Sequence, residues 1–222
     1  MIILVSSFSD KVFVNDLKNN VNIINNFVKE GNMFIISTGK NISKVLSTLA
    51  NFNLDVSYYI CNDGAVIFDK YLNVIYRVDI APIYVKSFFN IFKKCRYIDY
   101  IKIDTSSTLV DNLIGNANKI VMKYNDKKIA LKIQELINKK YKGVYAYTTY
   151  NYINIVNNSV SKKMALEYLL DFYNLKNHQV YTIVKDNNDK SLKDYESYVI
   201  NNNNGIFKYN AHNIEEIIKR IK

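Results

Sequence analysis

The chain has 222 residues, 49% of them apolar, and a formal net charge of +10. That length suits one large domain or a core with an inserted module, and no window reaches the ~18 uncharged apolar residues of a membrane span. Cys61 and Cys95 are too few for a disulfide framework, so a cytoplasmic protein is expected. Residues 2–5 form a short, continuous apolar run, the signature of a strand buried on both faces. The run is too short for a signal-peptide core and lacks a basic start. Leu17, Val21, Ile24, Phe27 and Val28 then recur at helical spacing, and Gly31 stops that helix. A second buried strand at 33–36 leads through Ser37-Thr38-Gly39-Lys40 into a helix predicted over 42–52. A third strand at 58–61 precedes Asn62-Asp63-Gly64, a turn signal, and a hairpin through 66–68 and 74–76. This rhythm implies right-handed crossovers and a parallel sheet.

Around residues 79–82 the pattern changes. Helix 83–95, strands near 98–103 and 119–124, helix 126–140, and strands near 143–148 and 151–156 make an α+β module in its own right. The first rhythm then resumes with helix 162–173, strand 180–184, helix 189–195, strand 198–200 and a closing helix at 214–221. The expected fold class is therefore α/β: a doubly wound parallel-sheet core from 1–79 and 158–222, with an inserted α+β module at 80–157. A single Pro and the lack of a Gly/Ser linker favour a compact insertion.

The positive charge raises nucleic-acid binding, since clustered Lys and Arg release counterions from phosphate backbones. The abundance of Lys, Asn, Ile and Tyr is instead what an A/T-rich coding sequence produces. The lysines are scattered, arginine occurs only at 77, 96 and 220, and no reader motif is present. The tyrosines show no base-stacking spacing along the chain. Nucleic acid and membrane are accordingly not expected as partners.

Ligands of a doubly wound sheet bind beyond the carboxyl ends of its strands. Four segments fall there: Ser6-Ser7-Phe8-Ser9-Asp10-Lys11, Ser37-Thr38-Gly39-Lys40, Ser161-Lys162 and Val184-Lys185-Asp186-Asn187-Asn188-Asp189. In order and spacing they resemble the four motifs of the haloacid dehalogenase superfamily, most closely its Cof-type phosphatases with a class IIB cap. The likeness covers nearly the whole chain, and it is most specific over residues 60–67, 152–166 and 180–189. It implies that the module at 80–157 is the cap and that Asn62 and Asp63 lie in a substrate-specificity loop facing it. It also implies that Thr38, with Gly39 beside it, and Lys162 contact the phosphoryl group.

The chain departs from the family pattern where the chemistry is done. The first motif, Asp-x-Asp-Gly-Thr, supplies a nucleophile and an acid/base; Ser7 and Ser9 stand at those two positions. A carboxylate is already ionised near neutral pH, whereas a serine hydroxyl needs an adjacent base, and neither His178 nor His212 lies in a motif segment. Shifting the register to make Asp10 the nucleophile places Val12 at the second position, which transfers no proton. In the fourth motif, Gly-Asp-x-x-Asn-Asp, Lys185 stands where the first Asp binds magnesium, a hard cation that takes carboxylate oxygens. A one-residue slip rescues Asp186 as a ligand but breaks the Asn188-Asp189 match.

The resemblance thus implies a phosphatase homologue with lost or strongly impaired turnover. It would retain a pocket for a phosphorylated small molecule or phosphate-like anion, lined by Thr38, Gly39, Asn62, Asp63, Lys162, Lys185 and Asn188, with no cofactor. One alternative is a working magnesium-dependent sugar or nucleotide phosphatase with a displaced site of Asp10, Asp186 and Asp189. Another is a non-enzymatic interaction protein. Taken by themselves, Thr38 and Ser161 also suit helix N-caps, and Asp189 suits an orienting partner for Lys162.

Overall fold

A computed structural model describes residues 1–9, 12–13, 16–105, 117–185, 187–200, 207 and 209–222, and only the backbone of Asn187 and Asn188. In chain order, β1 (Ile2–Ser7), α1 (Leu17–Lys29), β2 (Met33–Ser37), α2 (Ile42–Leu49) and β3 (Tyr58–Cys61) lead to β4 (Val66–Asp69) and β5 (Val74–Arg77). Next come α3 (Pro82–Phe92), β6 (Ile98–Thr105), β7 (Ala117–Tyr124), α4 (Lys127–Lys140), β8 (Val144–Thr149) and β9 (Tyr152–Asn157). The chain closes with α5 (Lys162–Phe172), β10 (Gln179–Val184), β11 (Glu196–Ile200), β12 (Tyr209–Ala211) and α6 (Ile214–Ile221). These elements divide into two compact units, Met1–Ile75 with Ser161–Lys222, and Tyr76–Val160.

The eight-stranded sheet runs in the order β12-β11-β10-β1-β2-β3-β4-β5. β1 sits between two parallel neighbours, β10 and β2. That is why its sequence is continuously apolar: Ile3, Leu4 and Val5 are all fully buried. Chain order reverses direction on either side of β1, so the gap between β1 and β10 is the switch point at which such sheets bind ligands. The antiparallel hairpin partner β4 then turns the sheet toward its edge. α1 buries Val21, Ile24 and Phe27 along one stripe. α6 buries Ile214, Ile217, Ile218 and Ile221, with Glu215 and Glu216 in its first turn and Lys219 and Arg220 in its last, as its dipole favours.

Local expectations change at several elements; α3, for one, ends at Phe92 rather than 95. α2 stops at Leu49 rather than 52, with the Phe52 N–H closing a turn on the Leu49 carbonyl at 2.8 Å. The predicted helix 189–195 is a 3-10 segment, Asn187–Leu192, followed by a turn. Its polar Asn-Asn-Asp-Lys-Ser stretch has no apolar stripe to sustain an α-helix, and i→i+3 winding serves such short connectors. β12, three residues long, is too short to carry a periodic signal.

In the second unit a four-stranded antiparallel sheet, β6-β7-β9-β8, packs one face against α3 and α4. Val85, Phe88 and Phe92 of α3 and Ala130 and Ile137 of α4 meet Ile120, Met122, Ala146, Ile153 and Ile155. The opposite face gathers Tyr100, Tyr145, Tyr147 and Tyr152, which are spread along the sequence.

Both cysteines are free; Cys61 is buried and Cys95 half-buried. Burial pushes the Cys61 thiol well above its ordinary range, which suppresses the reactive thiolate. Ellman titration of the native protein should modify Cys95 alone, and both thiols should react after unfolding in guanidinium.

Candidate functional site

The carboxyl ends of β1, β2, β3 and β10 are tied together by backbone. Ser7 and Ser37 are register partners at the ends of β1 and β2, and the Phe8 N–H reaches the Ser37 carbonyl at 3.3 Å. The Thr38 N–H donates to the Ile60 carbonyl of β3 at 2.8 Å. The Asp63 and Asn62 N–H groups donate back, each at 3.1 Å, to the Thr38 and Lys40 carbonyls. Asn62 and Asp63 therefore stand beside Thr38 and Gly39. Asn62 and Asp63 hold left-handed φ angles of 51° and 61°, which Asn and Asp tolerate better than other side-chain-bearing residues.

Gly64 joins this turn to α5. At φ +101°, a Cβ placed on it would lie 2.3 Å from the Ser161 carbonyl oxygen and 2.9 Å from the Lys162 nitrogen. Only a residue without a side chain allows that approach. Ser161 caps α5 by accepting from the Met164 N–H at 3.1 Å. Thr38 caps no helix: Asn41 caps α2, accepting from the Lys44 N–H at 2.9 Å, while Thr38 Oγ1 accepts from the Lys40 N–H at 3.1 Å.

Lys162, in the first turn of α5, is 6% exposed and donates to Asp189 Oδ1, itself 1% exposed. The other carboxylate oxygen, Oδ2, accepts from the Lys185 N–H at 2.8 Å. Asp189 thus fastens α5 to the end of β10 and fixes the Lys162 ammonium. A buried ammonium at a helix N-terminus, where backbone N–H groups also point outward, is an environment for an anion.

Ser7 and Ser9 are 6% and 8% exposed. The Oγ atoms of Ser6, Ser9 and Ser37 are buried without a hydrogen-bond partner among the described residues. Ser6 and Ser37 fall in the first two motif segments but have no role assigned by the sequence, because only strand register sets Ser37 against Ser7. Asp10 and Asp186 lie outside the described residues, as does the side chain of Asn188.

Of the three carboxylates that would make a displaced magnesium site, Asp189 alone lies among the described residues. Both oxygens of Asp189 are engaged, one by an ammonium and one by an N–H. No group of three or more His, Cys, Asp or Glu among the described residues could hold a metal.

Two stability predictions follow from this geometry. Removing one partner of a buried ion pair leaves an uncompensated charge and costs about 3–5 kcal/mol. Lys162→Ala and Asp189→Ala should each lose that much in urea unfolding, and Lys162→Met with Asp189→Leu should lose clearly less than their sum. Gly64→Ala should lose more than the ~1 kcal/mol of an ordinary positive-φ substitution, because the obstacle is backbone rather than a movable side chain.

A family model for haloacid dehalogenase-like hydrolases matches residues 10–113 and 96–216. Comparison with curated protein sequences found no match. Among solved structures, a haloacid dehalogenase-like hydrolase from B. subtilis superposes with a TM-score of 0.82 at 13% identity, covering 100% of both chains. A haloacid dehalogenase-like hydrolase from Bacteroides thetaiotaomicron gives 0.79 at 13% identity over 100% of this chain and 99% of that one. The subclass IIB sugar phosphatase BT4131 gives 0.77 at 13% identity over 100% and 99%. Identities this low establish a shared fold. The family model carries the assignment further, since its two matches together run from residue 10 to residue 216: the chain belongs to the haloacid dehalogenase-like hydrolases.

Proposed function

We propose that this protein binds a phosphorylated small molecule or phosphate-like anion at the strand-end site and does not hydrolyse it. The observation that carries this reading is the pairing of a fixed, buried Lys162 with buried serine hydroxyls where the family has carboxylates. A serine hydroxyl such as that of Ser7 needs an adjacent base to attack; the Ser9 hydroxyl, at the acid/base position, is not basic near neutral pH, and its Oγ has no hydrogen-bond partner among the described residues. Phosphoryl transfer depends on positioning and charge neutralisation. The positioning parts, Thr38 and Lys162, remain. The nucleophile and acid/base positions hold Ser7 and Ser9.

Lys185 stands at the metal-ligand position and brings a cation there without a metal. Thr38, Gly39, Asn62, Asp63, Lys162, Lys185 and Asn188 form the anion-binding set in this reading, and residues 80–157 form the cap. Two unpaired thiols suit a reducing compartment such as the cytoplasm. No helix among the described residues is long and apolar enough to cross a membrane.

The test is a p-nitrophenyl phosphate assay with magnesium and with chelator, run beside thermal shifts with inorganic phosphate. No turnover is expected in either condition. Phosphate at 100 times its Kd should stabilise the fold by about 2.7 kcal/mol even in chelator, and Lys185→Ala should weaken that shift. Magnesium-dependent turnover that vanishes in Asp10→Ala or Asp186→Ala would overturn the reading. Indifference to every phosphate compound would favour an interaction protein instead.

A further inference from the structure

Most of the chain's positive charge lies in the second unit. Residues 76–160 carry fourteen of the thirty Lys and Arg but only six of the twenty Asp and Glu, which places +8 of the net +10 there. These lysines are scattered in sequence, and helical winding gathers them. α4 alone has five lysines against one acid, Glu135. At 100° per residue, Lys128, Lys132 and Lys139 share one side of α4, opposite the buried Ala130 and Ile137. On α3, which has no acid, Lys86 and the C-cap Lys93 lie away from the buried Val85, Phe88 and Phe92. All five of these lysines are exposed.

The two helices present one continuous layer. Both pack on the same face of the second unit's sheet. Tyr141, at the end of α4, meets the rings of Tyr84 and Phe88 of α3 at 5.7 and 4.8 Å. Fourteen residues of α4 at 1.5 Å each, beside a second helix about 10 Å away, give an outer surface roughly 20 Å in each direction.

That surface is not uniformly polar. Helices that cover a core ordinarily turn polar side chains outward, yet Ile83, Leu136 and Ile91 are 70%, 55% and 51% exposed, and Phe89 and Leu131 are exposed beside them. Lys93 lies over the Phe89 ring with its ammonium 5.2 Å from the centroid, so cation and aromatic face are offered together. This mixture discriminates among anionic partners. A nucleic-acid backbone offers phosphates to the lysines but no apolar layer to isoleucine and leucine. An anionic bilayer offers both: phosphates at its surface for the ammonium heads, and acyl chains beneath for the apolar tips and lysine stems.

We propose that the outer face of α3 and α4 is a docking surface for an anionic lipid bilayer, which the protein binds peripherally. The surface lies wholly within the second unit and makes no use of the strand-end anion site. The expectation of no membrane partner rested on lysines scattered along the sequence; the winding of α3 and α4 removes that ground.

The experiment is cosedimentation of the full chain with vesicles of phosphatidylcholine alone and of phosphatidylcholine mixed with phosphatidylserine, over a salt series. The protein should bind the mixed vesicles, leave the pure phosphatidylcholine vesicles free, and dissociate as salt rises. A lysine near an anionic surface contributes about fivefold, so Lys128→Gln with Lys132→Gln should weaken binding about 25-fold. Lys18→Gln with Lys44→Gln removes the same charge from exposed positions of the first unit. It should change binding less than about twofold, because screening confines the attraction to charges at the contact. Ile83→Ser with Leu136→Ser should weaken vesicle binding about fivefold or more and leave binding to a DNA duplex unchanged. Every substituted side chain is exposed, so the fold tolerates these exchanges. No binding to the mixed vesicles, equal binding to both kinds, or equal losses in the two glutamine pairs would overturn the proposal. So would a serine pair that binds as the parent does, or a DNA duplex that outcompetes the vesicles.

Discussion

Much of the first unit depends on one buried charge pair. Lys162 and Asp189 come from segments 27 residues apart, and each needs the other because an isolated charge in a dry interior is prohibitively unfavourable. Asp189 also accepts the Lys185 N–H, so a single carboxylate joins the start of α5 to the end of β10. With both of its oxygens engaged, Asp189 holds the Lys162 ammonium in place at the start of α5.

Around that pair the backbone sets the geometry. Gly64 brings the turn after β3 against the Ser161 carbonyl at a separation no side chain would allow. The same turn returns hydrogen bonds to the 38–40 loop. Thr38, Asn62, Asp63 and Lys162 are thus fixed relative to one another by main-chain contacts, which change little when individual side chains are replaced. A scaffold of this kind persists whatever side chains its strand ends present. A haloacid dehalogenase frame is accordingly compatible with Ser7 and Ser9 at and just beyond the end of β1.

The two units illustrate different uses of a sheet. In the first, parallel strands are covered on both faces and the useful chemistry is confined to their ends. In the second, antiparallel strands are covered on one face by α3 and α4, which leaves alternate residues of four strands to form a surface. Tyr100 and Tyr152 are 52 positions apart in sequence, yet their rings meet across Lys123.

The sequence by itself determined the alternation of strands and helices and the change of pattern near residue 79, and it raised the expectation of departures at Ser7, Ser9 and Lys185. These are local signals: an apolar run of period one or 3.6, a glycine stop, a residue at a fixed offset from a strand. It misjudged the segment after β10, where a polar stretch without an apolar stripe winds as a 3-10 segment, and it missed β12, which is too short to show a period. Only the tertiary structure decided that Ser37 lies beside Ser7, that Asn41 rather than Thr38 caps α2, and that Asp189 is engaged by Lys162 and the Lys185 N–H. It alone assembled the tyrosines into a face. Each of those depends on strand register or on contacts between distant segments, and register is set by the packing of whole faces, which no short window of sequence contains.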